Sequence, residues 1–344
     1  SALITALADC CSQLRQKGVD LVLVSSGAIA NGMAQLGWHQ RPHELHQLQA
    51  AAAVGQMGLI NAYQRAFEAH DIQTAQVLLT SADLNHRVRY LNARSALRSM
   101  LGLGIIPVIN ENDTVATEEI KFGDNDSLGA LVGNLVEADY LIILTDQEGL
   151  FKDDPRINPN TTLIREGRAG DPLLEKFAGG SGVLGRGGMQ TKLQAAAKVA
   201  RSGASTVICS GQDMQNLLKV FEGDVPGTLL HASSGRIAAR KQWLADRMQS
   251  SGKLFLDAGA VEVLEGSGRS LLPVGVAKVT GRFLRGDLVD CVAIDSGRIV
   301  ARGLVNYSAE ESAKIAGRAS GDIERILGFV DEPEIVHRDN MVVL

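Results

Sequence analysis

Short apolar runs alternate with polar turns along this chain, and the stretch from residue 104 to 149 sets the pattern. Residues 104–109 are apolar and mostly β-branched, which predicts a buried strand. The run stops at Asn110-Glu111-Asn112-Asp113. A polar loop leads to Gly123-Asp124-Asn125-Asp126, where Asp126 suits the N-cap of a helix over 127–136. Residues 139–144 predict a second buried strand, ending at Thr145-Asp146-Gln147. Strand, capped helix and strand read as one βαβ unit. Open α/β sheets bind ligands at the carboxyl ends of their strands. Asn and Asp are dense at those ends here; they suit an amine, a hydroxyl or a metal-bound phosphate. The same residue types also make turns and caps. Their recurrence at three strand ends, with glycine loops elsewhere, favours a site for a polar ligand.

Upstream, residues 2–17 read as a helix with Leu3, Leu7, Cys10, Cys11 and Leu14 near one face. It feeds a strand at 19–24. A βαβ unit takes about 30 or more residues, so a strand and turn ahead of Ser1 are expected to be absent from this chain. After 19–24 come Ser25-Ser26-Gly27-Ala28-Ile29-Ala30-Asn31-Gly32, small residues at a strand-to-helix turn. They suit backbone approach to an anion and a tight turn needing glycine equally well. Residues 33–100 read mostly as helices. His39, His43 and His46 are interrupted by Pro42 and lack an H-E-x-x-H pattern, so they read as a loop or helix start. Residues 72–79 predict another strand, followed by Thr80-Ser81-Ala82-Asp83. A basic helix then carries Arg87, Arg89, Arg94 and Arg98, read as a solvated or subunit-facing side.

Residues 153–160 read as a surface loop. The glycine-rich stretch 179–192 matches G-x-G-x-x-G by letter at 180–185, without the preceding strand or following acid of a dinucleotide site. Lys192 is not in the frame of a Walker loop. What remains is a glycine loop entering a helix over 190–200 with Lys192 in its first turn. A cation there opposes the helix dipole. Neutralising a transferring phosphoryl group would give it a purpose; a snorkelling surface lysine is the plainer alternative. Residues 205–209 predict a strand, and 227–231 a last edge strand.

The composition narrows the classes. A chain of 344 residues favours two domains. Hydrophobic residues at 45% supply a sizeable core and exclude disorder. The net charge of −5 argues against a general nucleic-acid binder. Cys10, Cys11, Cys209 and Cys291 form no C-x-x-C pair, so neither a zinc site nor a disulfide framework is indicated, and a reduced cytoplasmic protein fits. No apolar run approaches the ~20 residues of a membrane span, and no signal peptide is visible. Residues 1–232 therefore read as an α/β domain, 233–252 as a polar linker helix, and 253–344 as a small, mostly β domain. In the last, β-like runs are expected at 254–256, 260–264, 274–280, 288–294 and 299–304, with helices at 308–316 and 320–327.

Several of these segments together resemble the amino acid kinase family, and within it the bacterial members that phosphorylate glutamate. They are Ser25-Ser26-Gly27-Ala28-Ile29-Ala30, Val108-Ile109-Asn110-Glu111-Asn112-Asp113, Gly123-Asp124-Asn125-Asp126, Leu144-Thr145-Asp146-Gln147-Glu148-Gly149-Leu150 and Gly187-Gly188-Met189-Gln190-Thr191-Lys192. Gly266-Ser267-Gly268-Arg269-Ser270-Leu271-Leu272-Pro273 resembles the PUA domain that many members carry. The resemblance implies an open, mainly parallel sheet sandwiched by helices, then a small PUA-like domain. It implies transfer of the γ-phosphoryl of ATP, with Mg²⁺, to the side-chain carboxylate of L-glutamate, the first step towards proline. By the same resemblance Ser26, Gly27, Asp113 and Asn125 hold glutamate. Thr145, Asp146, Gly187, Gly188, Met189, Gln190, Thr191 and Lys192 bind the nucleotide. Lys192 stabilises the transferring phosphoryl and Asp126 orients the catalytic lysines. Proline is the implied inhibitor and a dimer or tetramer the implied assembly; no metal ligand is assigned.

A carboxylate is already a nucleophile, so this chemistry needs positioning and positive charge, not a general base. In the family a V-K-L-G-like first strand also contacts the phosphates. This chain begins after that point, and catalysis without that segment is expected to be severely impaired. The rival readings are a related kinase acting on aspartate, acetylglutamate, carbamate or UMP, and an RNA-binding regulatory protein. The last weakens because residues 253–344 hold 11 Lys and Arg against 14 Asp and Glu, while phosphate contacts drive RNA affinity.

Overall fold

The computed structural model describes residues 2–116, 125–178, 188–232 and 250–344. They divide into two compact units, Ser1–His86 with Asn92–Arg236, and Arg87–Leu91 with Ile237–Leu344. Up to residue 232 the elements are α1 (Ala2–Gln16), β1 (Leu23–Val24), α2 (Ala28–Gln35), α3 (Leu45–Glu68), β2 (Thr74–Leu79), α4 (Ser81–Asn85), α5 (Arg87–Gly102), β3 (Ile106–Glu111), α6 (Asn125–Val136), β4 (Tyr140–Thr145), β5 (Glu166–Arg168), α7 (Pro172–Phe177), α8 (Met189–Val199), β6 (Ser205–Ser210), α9 (Gln215–Glu222) and β7 (Thr228–His231).

The expected parallel-rich sheet with flanking helices is present as two ladders. β1, β3 and β2 lie in that order, all parallel, with Val24 opposite Ile109 and Leu79 opposite Glu111. β4, β6, β7 and β5 form the second ladder, in which only β6 and β7 run antiparallel. β3 and β4 were expected to share one βαβ unit. Both sides of β3 are taken by β1 and β2, so β4 pairs with β6 instead. One core joins the ladders: Cys10, Cys11 and Leu14 of α1, Phe67 of α3, Ile106 and Val108 of β3, and Leu217 of α9, with Ile142 and Leu144 of β4 against them.

Other departures have local causes. The ladder part of β1 is only two residues; Val19 and Leu21 ahead of it pack against the same core as Leu23. β7 is not an edge: the three-residue β5, too short to show a period, covers its outer side. Thr80 and Asp83 form a capping box on α4. Arg94 is buried and bonds Glu137 at 2.9 Å, with Arg98 at 3.7 Å. These two arginines anchor the turn after α6, where Glu137 takes φ 55°. His46 pairs with Glu44 at 2.9 Å just where α3 begins.

In the second unit β8 (Gly252–Leu256), α10 (Ala258–Ser267), β9 (Val276–Gly281), β10 (Leu288–Ala293), β11 (Ile299–Leu304), α11 (Ala309–Ile315), α12 (Ile323–Leu327) and β12 (Met341–Val343) follow. The strand order is β12-β11-β10-β8-β9, with only β8 and β10 parallel. Leu254, Leu256, Val289, Cys291, Val300 and Tyr307 are buried in its core. Residues 260–264, expected as a strand, belong to α10. The Asp257 carboxylate accepts Ala260 N–H at 2.7 Å and starts the helix. Ser308 and Glu311 form a capping box on α11, where a helix was expected. The linker helix expected over 233–252 lies outside the described residues up to 249, and Gly252 already belongs to β8. Among the described residues no helix is long and apolar enough to cross a membrane.

α2 and α3 approach backbone to backbone. A Cβ on Gly55 would stand 1.9 Å from Ala28 O, and one on Gly32 would stand 1.7 Å from Ala51 O. Asn31 Nδ2 closes the contact on Gly55 O at 2.7 Å. Gly55→Ala is therefore expected to destabilise the chain by about 1–3 kcal/mol, the usual cost of overpacking. Scanning calorimetry checks this. Gly102→Ala, whose Cβ meets nothing within 4 Å, should leave the melting temperature unchanged or raise it.

Candidate active site

The carboxyl ends of β1 and β3 meet at the start of α6. Ser25 N donates to Ile109 O at 2.8 Å, and Asn112 N to Leu79 O at 2.9 Å. The first turn of α6 carries Asn125 and Asp126. Neighbours on a helix point about 100° apart, and these two serve different partners.

Asn125 serves the three-stranded ladder. Its Nδ2 donates to Ser25 O and, at 2.9 Å, to Asn110 Oδ1. Asn110 is 2% exposed. Its Nδ2 donates to Gln56 Oε1 of α3 at 2.7 Å, and its Oδ1 also accepts Glu111 N–H at 2.9 Å. Ser25 Oγ lies 3.0 Å from the Tyr63 hydroxyl. Burial raises the Tyr63 phenol, partly offset by that bond, so it stays protonated at neutral pH. Ser26 and Gly27 follow, exposed. Gly27 enters α2 at φ 97°, which glycine adopts without steric cost. No side chain caps the first N–H groups of α2.

Asp126 serves α8. Its Oδ2 accepts from Lys192 Nζ and from Thr191 Oγ1, each at 2.9 Å. Its expected role as N-cap is not what it does: α6 already includes Asn125, and the Asp126 carboxylate holds Lys192. Lys192 is 8% exposed, which excludes the snorkelling surface lysine. Asp126 offsets the unfavourable placing of a cation in a first helical turn. Gly188 is the N-cap of α8, with no side-chain cap bond. Met189 packs on the core beneath, and Gln190 is exposed. Further along, Lys198 Nζ donates to Ser127 Oγ at 3.0 Å, keeping α8 beside α6. Thr145 Oγ1 donates to Asp146 Oδ1 at 3.0 Å at the end of β4, where Gly211 N–H bonds Thr145 O at 2.8 Å. Gly123, Asp124 and Gly187 lie outside the described residues.

Asp113 stands two residues past β3, half-buried. Burial pushes its carboxyl up to about 6, against a smaller opposing pull from Arg41. So the ladder side offers carboxamides and a carboxylate, suited to an amine. The α8 side offers a buried lysine at a helix start whose N-cap, Gly188, makes no side-chain bond, suited to an anion. Among the described residues no group of three or more His, Cys, Asp or Glu could hold a metal.

Sequence reasoning gave Gln56, Tyr63 and Arg41 no part. Gln56 and Tyr63 lie inside the long helix α3, where no spacing marks them. Asn110 opens the polar run at residues 110–113, and its signal is a buried amide at a strand's carboxyl end.

The amino acid kinase family model matches residues 1–210, and the PUA domain model matches residues 252–327. A glutamate 5-kinase of Azoarcus sp. (strain BH72) is 60% identical over 331 residues, covering 96% of this chain and 89% of that protein. The glutamate 5-kinase of Stutzerimonas stutzeri (strain A1501) is 59% identical over 332 residues, with the same coverage. Among solved structures, a carbamate kinase from Giardia lamblia bound to AMP-PNP aligns at 16% identity and a TM-score of 0.47, over 66% of this chain and 90% of that one.

The Asp113 carboxyl is expected to titrate near pH 6 by ¹³C NMR. Its folded value lies above the unfolded one, so its contribution to stability is lost as pH rises through about 6. Asp113→Asn should raise the melting temperature at pH 8 more than at pH 4. An equal shift at both would show that ionisation is not the cause.

Proposed function

We propose that this chain, which belongs to the amino acid kinase family, transfers the γ-phosphoryl group of ATP to the side-chain carboxylate of L-glutamate. The product is L-glutamyl 5-phosphate, first intermediate on the way to proline. The relatives named glutamate 5-kinases support this acceptor. One observation of geometry carries the reading: adjacent residues of α6 reach an amine-suited half-site and a buried, phosphate-suited lysine.

In this reading Ser26, Gly27, Asp113 and Asn125 hold glutamate. Asp113 and Asn125 meet its ammonium, which leaves the side-chain carboxylate to face the nucleotide. Thr145, Asp146 and Gly187 to Lys192 hold ATP. A carboxylate oxygen attacks Pγ, the bond from Pγ to the β–γ bridging oxygen breaks, and ADP leaves. No proton has to be removed. The barrier is the meeting of two anions, so Lys192 and the N–H groups at the start of α8 supply the positive charge. Asp126 keeps the Lys192 ammonium in place between the ligands. Mg²⁺ bound with the nucleotide would add positive charge at the phosphates, and an exposed carboxylate such as Asp146 would help hold it.

Several finer points belong to the same proposal. The kinase domain is drawn at 1–232, the linker at 233–252 and the PUA-like domain at 253–344, supported by the matched ranges. Proline, a compact amino acid with an α-carboxylate and a secondary α-ammonium, is the expected competitor at the glutamate half-site. The assembly is expected to be a dimer or tetramer, which light scattering reads directly. A reducing cytoplasm fits four free, buried cysteines.

ADP formation from ATP and Mg²⁺ is expected to require L-glutamate and to be faster with it than with aspartate, N-acetylglutamate, carbamate or UMP. It should be measured on this chain and on one extended ahead of Ser1 by a V-K-L-G-like strand. Lys192→Met should lower kcat about 10²–10³-fold, the usual loss for a group that stabilises transition-state charge, with a much smaller change in glutamate affinity. Preference for another acceptor in both chains would overturn the proposal.

A further inference from the structure

We infer that Asn110 and Gln56 are positioning residues that fix which way round the Asn125 carboxamide sits, so that the half-site presents an acceptor and selects for a substrate amino group. This rests on the glutamate reading above.

The two ends of a carboxamide have nearly the same shape but opposite hydrogen-bonding character. Nitrogen carries two donors and oxygen only accepts. Nothing in Asn125 itself decides which end meets the ligand; its neighbours do. Both Nδ2 hydrogens have acceptors, Ser25 O and Asn110 Oδ1. Ser25 O is a main-chain carbonyl and can only accept. Asn110 could in principle turn its own amide over, but its Oδ1 also accepts the main-chain N–H of Glu111 at 2.9 Å, which can only donate. Turned over, Asn110 would set its NH₂ against that N–H and against Asn125 Nδ2. Gln56 reinforces the choice by accepting Asn110 Nδ2 at 2.7 Å. The relay therefore ends on two backbone groups whose character cannot change. Asn110 is 2% exposed, so water does not readily substitute for a lost partner.

The hydrogen-bonding atom left to Asn125 is Oδ1, an acceptor. Asp113, once ionised, is acceptor-only as well. Two acceptors ask the ligand for N–H donors, which an α-ammonium supplies and a plain dicarboxylate does not. L-Glutamate and glutarate differ in that group alone, so the ratio of their affinities reads the orientation of Asn125. A purely structural loss would weaken both ligands together.

The test is calorimetric titration of the full chain with L-glutamate and with glutarate, alongside the melting temperature of each variant. The wild-type chain should prefer L-glutamate. Asn110→Ala and Gln56→Met should narrow that preference by about 10- to 100-fold, the loss of a hydrogen bond to a charged group. They should do so by weakening L-glutamate binding and leaving glutarate nearly unchanged. Gln56→Glu, which keeps an acceptor for Asn110 Nδ2, should retain the preference. If Asn110→Ala does not fold, Gln56→Met decides, because Gln56 lies outside the strand. An unchanged ratio in a folded variant, or equal weakening of both ligands, overturns the inference alone, as does a wild type that binds both equally. A wild type that binds neither overturns the proposed function and the inference with it.

Discussion

The bond between Asp126 and Lys192 is the constraint on which the site depends. Taking a lysine to 8% exposure is costly unless an acid comes with it. Asp126 meets it at 2.9 Å, and Thr191 Oγ1 shares the same carboxylate oxygen. The pair fixes the start of α8 against the first turn of α6. Because Asn125 precedes Asp126, the same turn is also tied to Ser25 and Asn110 of the three-stranded ladder. Two half-sites of opposite character are thus held in register by two consecutive residues. A buried ion pair is weak evidence for stability, and its sense here is positional: it holds the Lys192 ammonium at the start of α8, beside the first turn of α6.

The glycine contact between α2 and α3 serves the same end from the other side. α2 starts at Gly27, next to Ser25 and Ser26, and α3 carries Gln56 beside Gly55. Pressing the two backbones together sets where α2 begins and brings Gln56 to Asn110. A side chain on either glycine would move both.

Much of this was legible in the chain because the signal was local. The run 104–109 ends on four polar residues, and the structure puts Asn110 and Glu111 at the end of β3. The glycine loop entering 190–200 announced α8 with Lys192 in its first turn. The errors came where two local readings fit equally or where the partner was remote. The run Ala260-Val261-Glu262-Val263-Leu264 suits a strand as well as a helix, and Asp257 decides it as a cap. Asp126 looked like a cap from its neighbours, and only Lys192, far along the chain, shows what it holds. β5 has three residues and no period to read. Gln56 and Asn110 are 54 positions apart, and no spacing rule links them.

The most direct measurement is the binding of L-glutamate and of a non-hydrolysable ATP analogue to Asn125→Ala and Asp126→Ala, compared side by side. If one helical turn serves two half-sites, the first variant loses glutamate affinity and keeps the nucleotide. The second keeps glutamate and loses hold of the nucleotide's phosphates. Loss of the same ligand in both variants would contradict the account.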